Sequence, residues 1–192
     1  MRITFISKLQ KLLHHHQSGL FRHYSKILMI RSDFHWSLNT DRYVKGDEHQ
    51  FSADMSYLML RLSDHSGVIG YAWVLEEALD RGLHAHAVIY VNGQQHRSKW
   101  DFKSLVQSLW GKVTDGEGYV YNCEDKSDYR APIRFPVHFD DIRGRRNMRY
   151  VVNYLAKVEQ KTDYPIFYLS NLPDIRRKKA GRPRTGKRKN SR

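Results

Sequence analysis

The chain has one cysteine, Cys123, in 192 residues. A single thiol excludes an internal disulfide framework and a cysteine-rich zinc site, and makes a reducing cytoplasm the expected setting. No apolar run approaches the roughly 20 residues of a membrane span, so no membrane partner is expected. Met1–Leu13 is interrupted by Lys8, Gln10 and Lys11 and has no small-residue cleavage site, which argues against a signal peptide. Acidic residues are also scarce: 20 Asp and Glu against 33 Lys and Arg leave a net charge of +13 and a pI near 9.9. A field of that sign favours polyanions, and nucleic acid is the commonest of them. The length fits one domain with extensions, enough to bury a real core.

The stretch that organises the rest is Gly82–Gly93, which runs Gly-Leu-His-Ala-His-Ala-Val-Ile-Tyr-Val-Asn-Gly. Val88, Ile89, Tyr90 and Val91 favour a strand, and Asn92-Gly93 is a turn pair that ends it. Side chains at i and i+2 share a face, so His84 and His86 project side by side with the small Ala85 on the reverse. Two neutral imidazoles at that spacing can hold one divalent ion. Val68–Glu77 reads as the preceding strand, joined through Ala78–Arg81 in an antiparallel hairpin. Either Glu76 or Glu77 then lies across from the histidines, because a one-residue slip exchanges the faces. A carboxylate added to two histidines suits Mg²⁺ or Mn²⁺.

Around this hairpin the pattern predicts both strands and helices. Lys26–Trp36 reads as a first strand, Tyr119–Cys123 as a short one and Ile166–Leu169 as a last one. Ile133–Phe139 reads as an edge segment broken by Pro136. Phe51, Met55, Leu58, Met59 and Leu62 recur at helical spacing from about Glu48 to Ser63. Phe102, Leu105, Val106, Leu109, Trp110 and Val113 do so over Asp101–Val113, with Asp101 as the expected cap. Leu38–Gly46 and Glu124–Ala131 read as polar loops. Residues 1–24 read as an extension: a turn or two carrying Ile6, Leu9 and Leu13, then His14–His16 as a polar linker. Asn147–Gln160 predicts a helix buried along Met148, Val151, Val152, Leu155 and Val158. Tyr150, Tyr154 and Lys157 fall at i, i+4 and i+7 and share its adjacent face.

The segment 171–192 holds ten Lys and Arg against one acid, Asp174, with almost nothing apolar. It reads as a disordered basic tail. Lys178, Lys179 and Arg184 flank a Gly-Arg-Pro core, with Arg182 at its centre, that resembles an AT-hook, an extended segment that lays arginines in an A·T-rich minor groove. The broader expectation is phosphate-backbone binding with strong salt dependence.

Taken in order, a glutamate-bearing strand, the paired-histidine strand and Tyr154-Leu-Ala-Lys157 resemble the HUH endonucleases, the initiators of rolling-circle replication. Tyr71-Ala-Trp-Val-Leu-Glu76, His84-Ala-His86-Ala-Val-Ile-Tyr-Val and Tyr154-Leu-Ala-Lys157-Val-Glu-Gln-Lys161 are similar to the replication proteins of filamentous phages and prophages. The residue between the histidines, Ala85, is small for that family. Tyr150 and Tyr154 together resemble the microvirus-type initiators, in which two tyrosines alternate. The resemblance implies an α+β domain over residues 25–170, with a central antiparallel sheet flanked by helices. It implies Mg²⁺ or Mn²⁺ held by His84, His86 and Glu76 rather than Glu77, and Tyr154 rather than Tyr150 as first nucleophile, assisted by Lys157.

By the same resemblance the activity is metal-assisted nicking of single-stranded origin DNA. It would leave a 5′-phosphotyrosyl link and a free 3′-hydroxyl, and the strand would later be rejoined. Duplex DNA would engage the tail, a host helicase and polymerase would follow, and the setting would be the cytoplasm of a bacterial host. Two other readings keep the same residues: a DNA-binding regulator without catalysis, and a relaxase or single-strand transposase with the same chemistry.

Overall fold

A computed structural model describes residues 6–123, 130–158 and 165–174 of the chain. Six strands form one antiparallel sheet: β1 (Lys26–Trp36), β2 (Val68–Ala78), β3 (Gly82–Asn92), β4 (Gly118–Asn122), β5 (Val137–His138) and β6 (Phe167–Leu169). Five run in the order β4-β1-β3-β2-β6, and β5 pairs with the start of β1. The helices are α1 (Ser7–His23), α2 (Asp41–Lys45), α3 (Glu48–Ser63), α4 (Trp100–Val113) and α5 (Ile142–Val152), the last continuing into a 3₁₀ turn at Asn153–Ala156. The architecture is therefore α+β, an antiparallel sheet flanked by helices. No helix among the described residues is long and apolar enough to cross a membrane.

Alternation along the central strands divides the sheet into two faces. On one, Leu28, Ile30 and Phe34 of β1, Trp73 and Leu75 of β2 and Ala85, Ala87 and Ile89 of β3 share a core with α3 and α4. Ala85 is fully buried there, on the reverse of the histidine face. On the other face, Ile27 and Met29, Ala72 and Val74, and Val88 and Tyr90 pack with α1, α5 and the 3₁₀ turn. Farther along that second face the same three strands turn polar. Arg31, Asp33 and His35 continue β1, His86 and His84 continue β3, and Glu76 continues β2. One face thus supplies half a core and a polar site in line with it.

The first segment of the chain belongs to this fold. The sequence predicts a turn or two and a polar linker at 1–24, but α1 runs for 17 residues straight through His14–His16. Leu9, Leu13 and Leu20 are buried against the sheet, each burial contributing roughly 1.5–3 kcal/mol. His16 is buried too, with Nε2 bonded to the Ser170 carbonyl at 2.9 Å and the Ser170 Oγ at 3.0 Å. Gly19 leaves room for Leu172: a Cβ there would press on the end of the Leu172 side chain. The chain therefore packs against α1 two residues past Ser170, beyond the 171 boundary expected for the tail.

Three local expectations also change. The Leu38–Gly46 stretch contains the short helix α2, capped by Thr40, whose hydroxyl accepts from the Tyr43 amide. Helix α4 begins at Lys99 as cap, with Asp101 in its first turn rather than capping it. Helix α5 starts five residues before the predicted Asn147, where the Asp141 carboxylate accepts from the Gly144 amide at 2.9 Å. It ends at Val152, so the Tyr150/Tyr154/Lys157 face does not exist as one helical surface. Residues 124–129 of the predicted charged loop and the tail residues Lys178, Lys179, Arg182 and Arg184 lie outside the described residues.

Candidate metal centre and its tyrosine

The hairpin register settles which glutamate faces the histidines. Glu76 pairs with His84 and Val74 with His86, so Glu76 shares the histidine face, while Glu77 points away and is exposed. Glu76, His84 and His86 are all buried, and their ligand atoms lie within 4.8 Å of one another. Glu76 Oε2 is 3.3 Å from His86 Nε2 and 3.8 Å from His84 Nε2.

Both imidazoles are aimed from behind. His86 Nδ1 is 2.7 Å from Asp33 Oδ1, and His84 Nδ1 is 3.0 Å from the Gly82 carbonyl. An Nδ1–H that donates to those oxygens leaves each Nε2 lone pair for a cation, the usual support for a metal-bound histidine. His84 Nε2 is buried and has no hydrogen-bond partner. A divalent cation fits this set: it supplies the missing partner of His84 Nε2, and Glu76 offers it a carboxylate. Nitrogen and carboxylate donors together suit a first-row or hard divalent ion.

The titration of the cluster follows its contacts. Burial disfavours the His84 cation and, only partly offset by the Gly82 carbonyl, lowers its pKa, leaving the neutral imidazole that binds metals. His86 is also buried, but hydrogen bonds to Asp33 and Glu76 outweigh that and raise its pKa. Asp33 stays below the ordinary carboxylate range because His86, Arg31 and Cys123 outweigh its desolvation. Burial pushes the Cys123 thiol up to about 12, so it is a donor to Asp33 at 3.5 Å and not a nucleophile.

Of the two tyrosines singled out in the sequence, the structure brings one to the centre. The Tyr154 ring meets His86 edge-on, centroids 5.0 Å apart. The Arg31 guanidinium lies 4.2 Å from its centroid and Lys157 Nζ 3.9 Å from it, within cation–π range. The 3₁₀ turn sets this position, because Leu155 and Ala156 bury themselves beside Tyr154 and tie it to the sheet. Tyr150, on the last turn of α5, is 47% exposed, and its ring partner is Arg130 at 5.3 Å. Burial raises the Tyr154 pKa, Arg31 opposes it, and Asp33 and Glu76 add to it, so the phenol holds its proton at neutral pH.

Arg31, Asp33 and His35 are the members of this centre that the sequence does not single out. They stand at i, i+2 and i+4 of β1, and three polar side chains on one face of an otherwise apolar strand are the signal that marks them. Comparisons with protein-family models, curated proteins and solved structures give no match to this chain.

Proposed function

We propose that this chain nicks and rejoins DNA through a phosphotyrosyl link on Tyr154, and that it acts as a rolling-circle replication initiator. The observation that carries the reading is the Tyr154 ring set against His86, one ligand of a Glu-His-His group, with Arg31 and Lys157 beside it. The ordered resemblance to HUH endonucleases and the net charge of +13 support the same substrate. So does α5, where Arg143, Arg146 and Arg149 are exposed at i, i+3 and i+6 on one side of the helix.

Glu76, His84 and His86 would hold the cation, Mg²⁺ or Mn²⁺, and a bound divalent ion polarises the scissile phosphate and offsets its charge. The Tyr154 phenol oxygen forms the new P–O bond. The bond from phosphorus to the 3′-oxygen breaks, that oxygen keeps the electron pair and takes up a proton, and the phenol gives one up. The products are a 5′-phosphotyrosyl strand and a free 3′-hydroxyl. Arg31 and Lys157 stabilise the phenolate and the phosphate as charge develops, against the resistance that burial sets up. The link conserves one phosphodiester, so a later 3′-hydroxyl reverses the step and rejoins the strand.

A covalent-adduct assay tests the reading. The protein is mixed with Mn²⁺ and 3′-labelled single strands tiling its own replicon, denatured in detergent and resolved. Label is expected to migrate with the wild-type protein and with Tyr150→Phe but not with Tyr154→Phe. Loss in Tyr150→Phe alone transfers the role to that residue. No adduct from any strand, with DNA binding retained, overturns catalysis and leaves a DNA-binding regulator.

A further inference from the structure

Three rings line up across three strands at the metal centre. His84 of β3, His35 of β1 and Tyr119 of β4 are register neighbours in turn. The His84 and His35 planes lie 5° apart with centroids at 5.4 Å, and those of His35 and Tyr119 lie 8° apart at 4.8 Å. The three form a continuous offset stack from a metal-ligand candidate to the sheet edge. His84 and His35 are buried, whereas Tyr119 is 48% exposed, and Tyr121, two residues along the same face, is 55% exposed. Between them Val120 turns to the opposite core. The stack therefore ends in an aromatic surface open to solvent, on an edge strand, one ladder step from the site.

We infer that this stack is a subsite for an unpaired nucleobase, with Tyr119 as the platform and Tyr121 beside it for a second base. The inference rests on the DNA reading and adds the way the strand is held. Two observations favour a base over another flat ligand. Arg31 on β1 lies over Tyr154 and 3.6 Å from Asp33, and Arg81, in the turn between β2 and β3, lies within electrostatic reach of His84, Tyr119 and Tyr154, so two cations stand near the stack for a flanking phosphate. The whole chain carries +13. A base inside a duplex has both faces covered by its neighbours, so the platform selects single-stranded or extruded DNA. Stacking of this kind tolerates any base, and so positions the strand without choosing its sequence.

The test uses the full chain in EDTA, where nicking does not enter, and a dT15 oligonucleotide with one central 2-aminopurine. Stacking on an aromatic ring quenches that fluorophore, and residues 171–192 contain no aromatic side chain, so the tail cannot cause the quench. Wild type and Tyr119→Phe are expected to quench alike. Tyr119→Ala is expected to lose most of the quench and to bind roughly ten-fold more weakly at moderate salt, a typical loss for one stacked base. Equal quenching by Tyr119→Ala and wild type overturns the inference. Quenching that depends on Tyr119 in a protein that forms no adduct would keep the base platform and remove the nicking reaction.

Discussion

His86 Nδ1 lies 2.7 Å from Asp33 Oδ1, across the β1–β3 ladder where the two residues are register partners. That bond fixes which ring nitrogen of His86 faces Glu76. It makes Asp33, which touches none of the proposed reacting atoms, the residue on which the ligand geometry depends.

Replacing Asp33 by Ala should therefore weaken metal binding by about 10–100-fold, the usual cost of removing such a support. Titration calorimetry with Mn²⁺, or the rise in melting temperature that Mn²⁺ causes, measures it. An affinity equal to wild type would show that His86 is held by other contacts.

Arg31 and Lys157 flank the same phenol and should act on the reaction more than on binding. Lys157→Ala and Arg31→Met should each slow adduct formation on the order of 10²-fold, as for the loss of one donor to a developing charge. The affinity for a single strand, measured in EDTA, should fall far less. Parallel losses in rate and affinity would reduce either residue to a phosphate contact.

His16 should govern part of the acid limb of stability. Burial lowers its pKa, the Ser170 carbonyl only partly restoring it. Its Nδ1 is buried without a partner, so a second proton has no acceptor. A histidine whose pKa is lowered on folding favours the unfolded chain as pH drops below the unfolded value, about 6.5. Stability should thus be full above that pH and be lost progressively below it, toward the depressed folded value. His16→Gln, which keeps a donor for Ser170 but does not titrate, should show a shallower loss than wild type in urea unfolding at pH 7.5 and 5.5.

The tail should be removable only from residue 175. Cutting there removes all ten Lys and Arg of 171–192, the first being Arg176, and spares the Ser170 and Leu172 contacts with α1. The salt slope of duplex binding should flatten by several units, since each neutralised phosphate contributes about 0.9. Cleavage of a short single strand should persist. A cut before Ser170 should in addition lower the melting temperature, by exposing His16 and Leu20.

The strands and the two long helices of the first core were legible because their apolar periods are strong and their ends carry turn residues. The histidine pair was legible for the same reason: strand alternation alone puts His84 and His86 on one face. Strand patterning alone leaves Glu76 and Glu77 open, because they differ by a single register step; the family resemblance points to Glu76, and the hairpin's pairing puts it with the histidines. Asp33 escaped because its meaning depends on a residue 53 positions away. Helix α1 escaped because His14–His16 looked solvated, although Leu9, Leu13 and Leu20 keep a helical spacing around it. The change of Tyr154 from helix to 3₁₀ turn was hidden for a different reason. The stripe Met148, Val151, Val152 and Leu155 reads as helix whether or not the backbone tightens after Val152, and it is the docking of Leu155 and Ala156 that decides.

The strand order β4-β1-β3-β2-β6 places Tyr119 and Tyr121 at one rim of the sheet and β6 at the other. Four strand spacings separate the rims, about 19 Å, close to the width of a double helix. Between them stand the Glu-His-His group and Tyr154. On the proposed reading a single strand stacked at the β4 rim would run inward along the sheet toward the metal centre. The peeled strand would then be carried past β4, and the bond to be cut would lie inward of that rim, toward Tyr154.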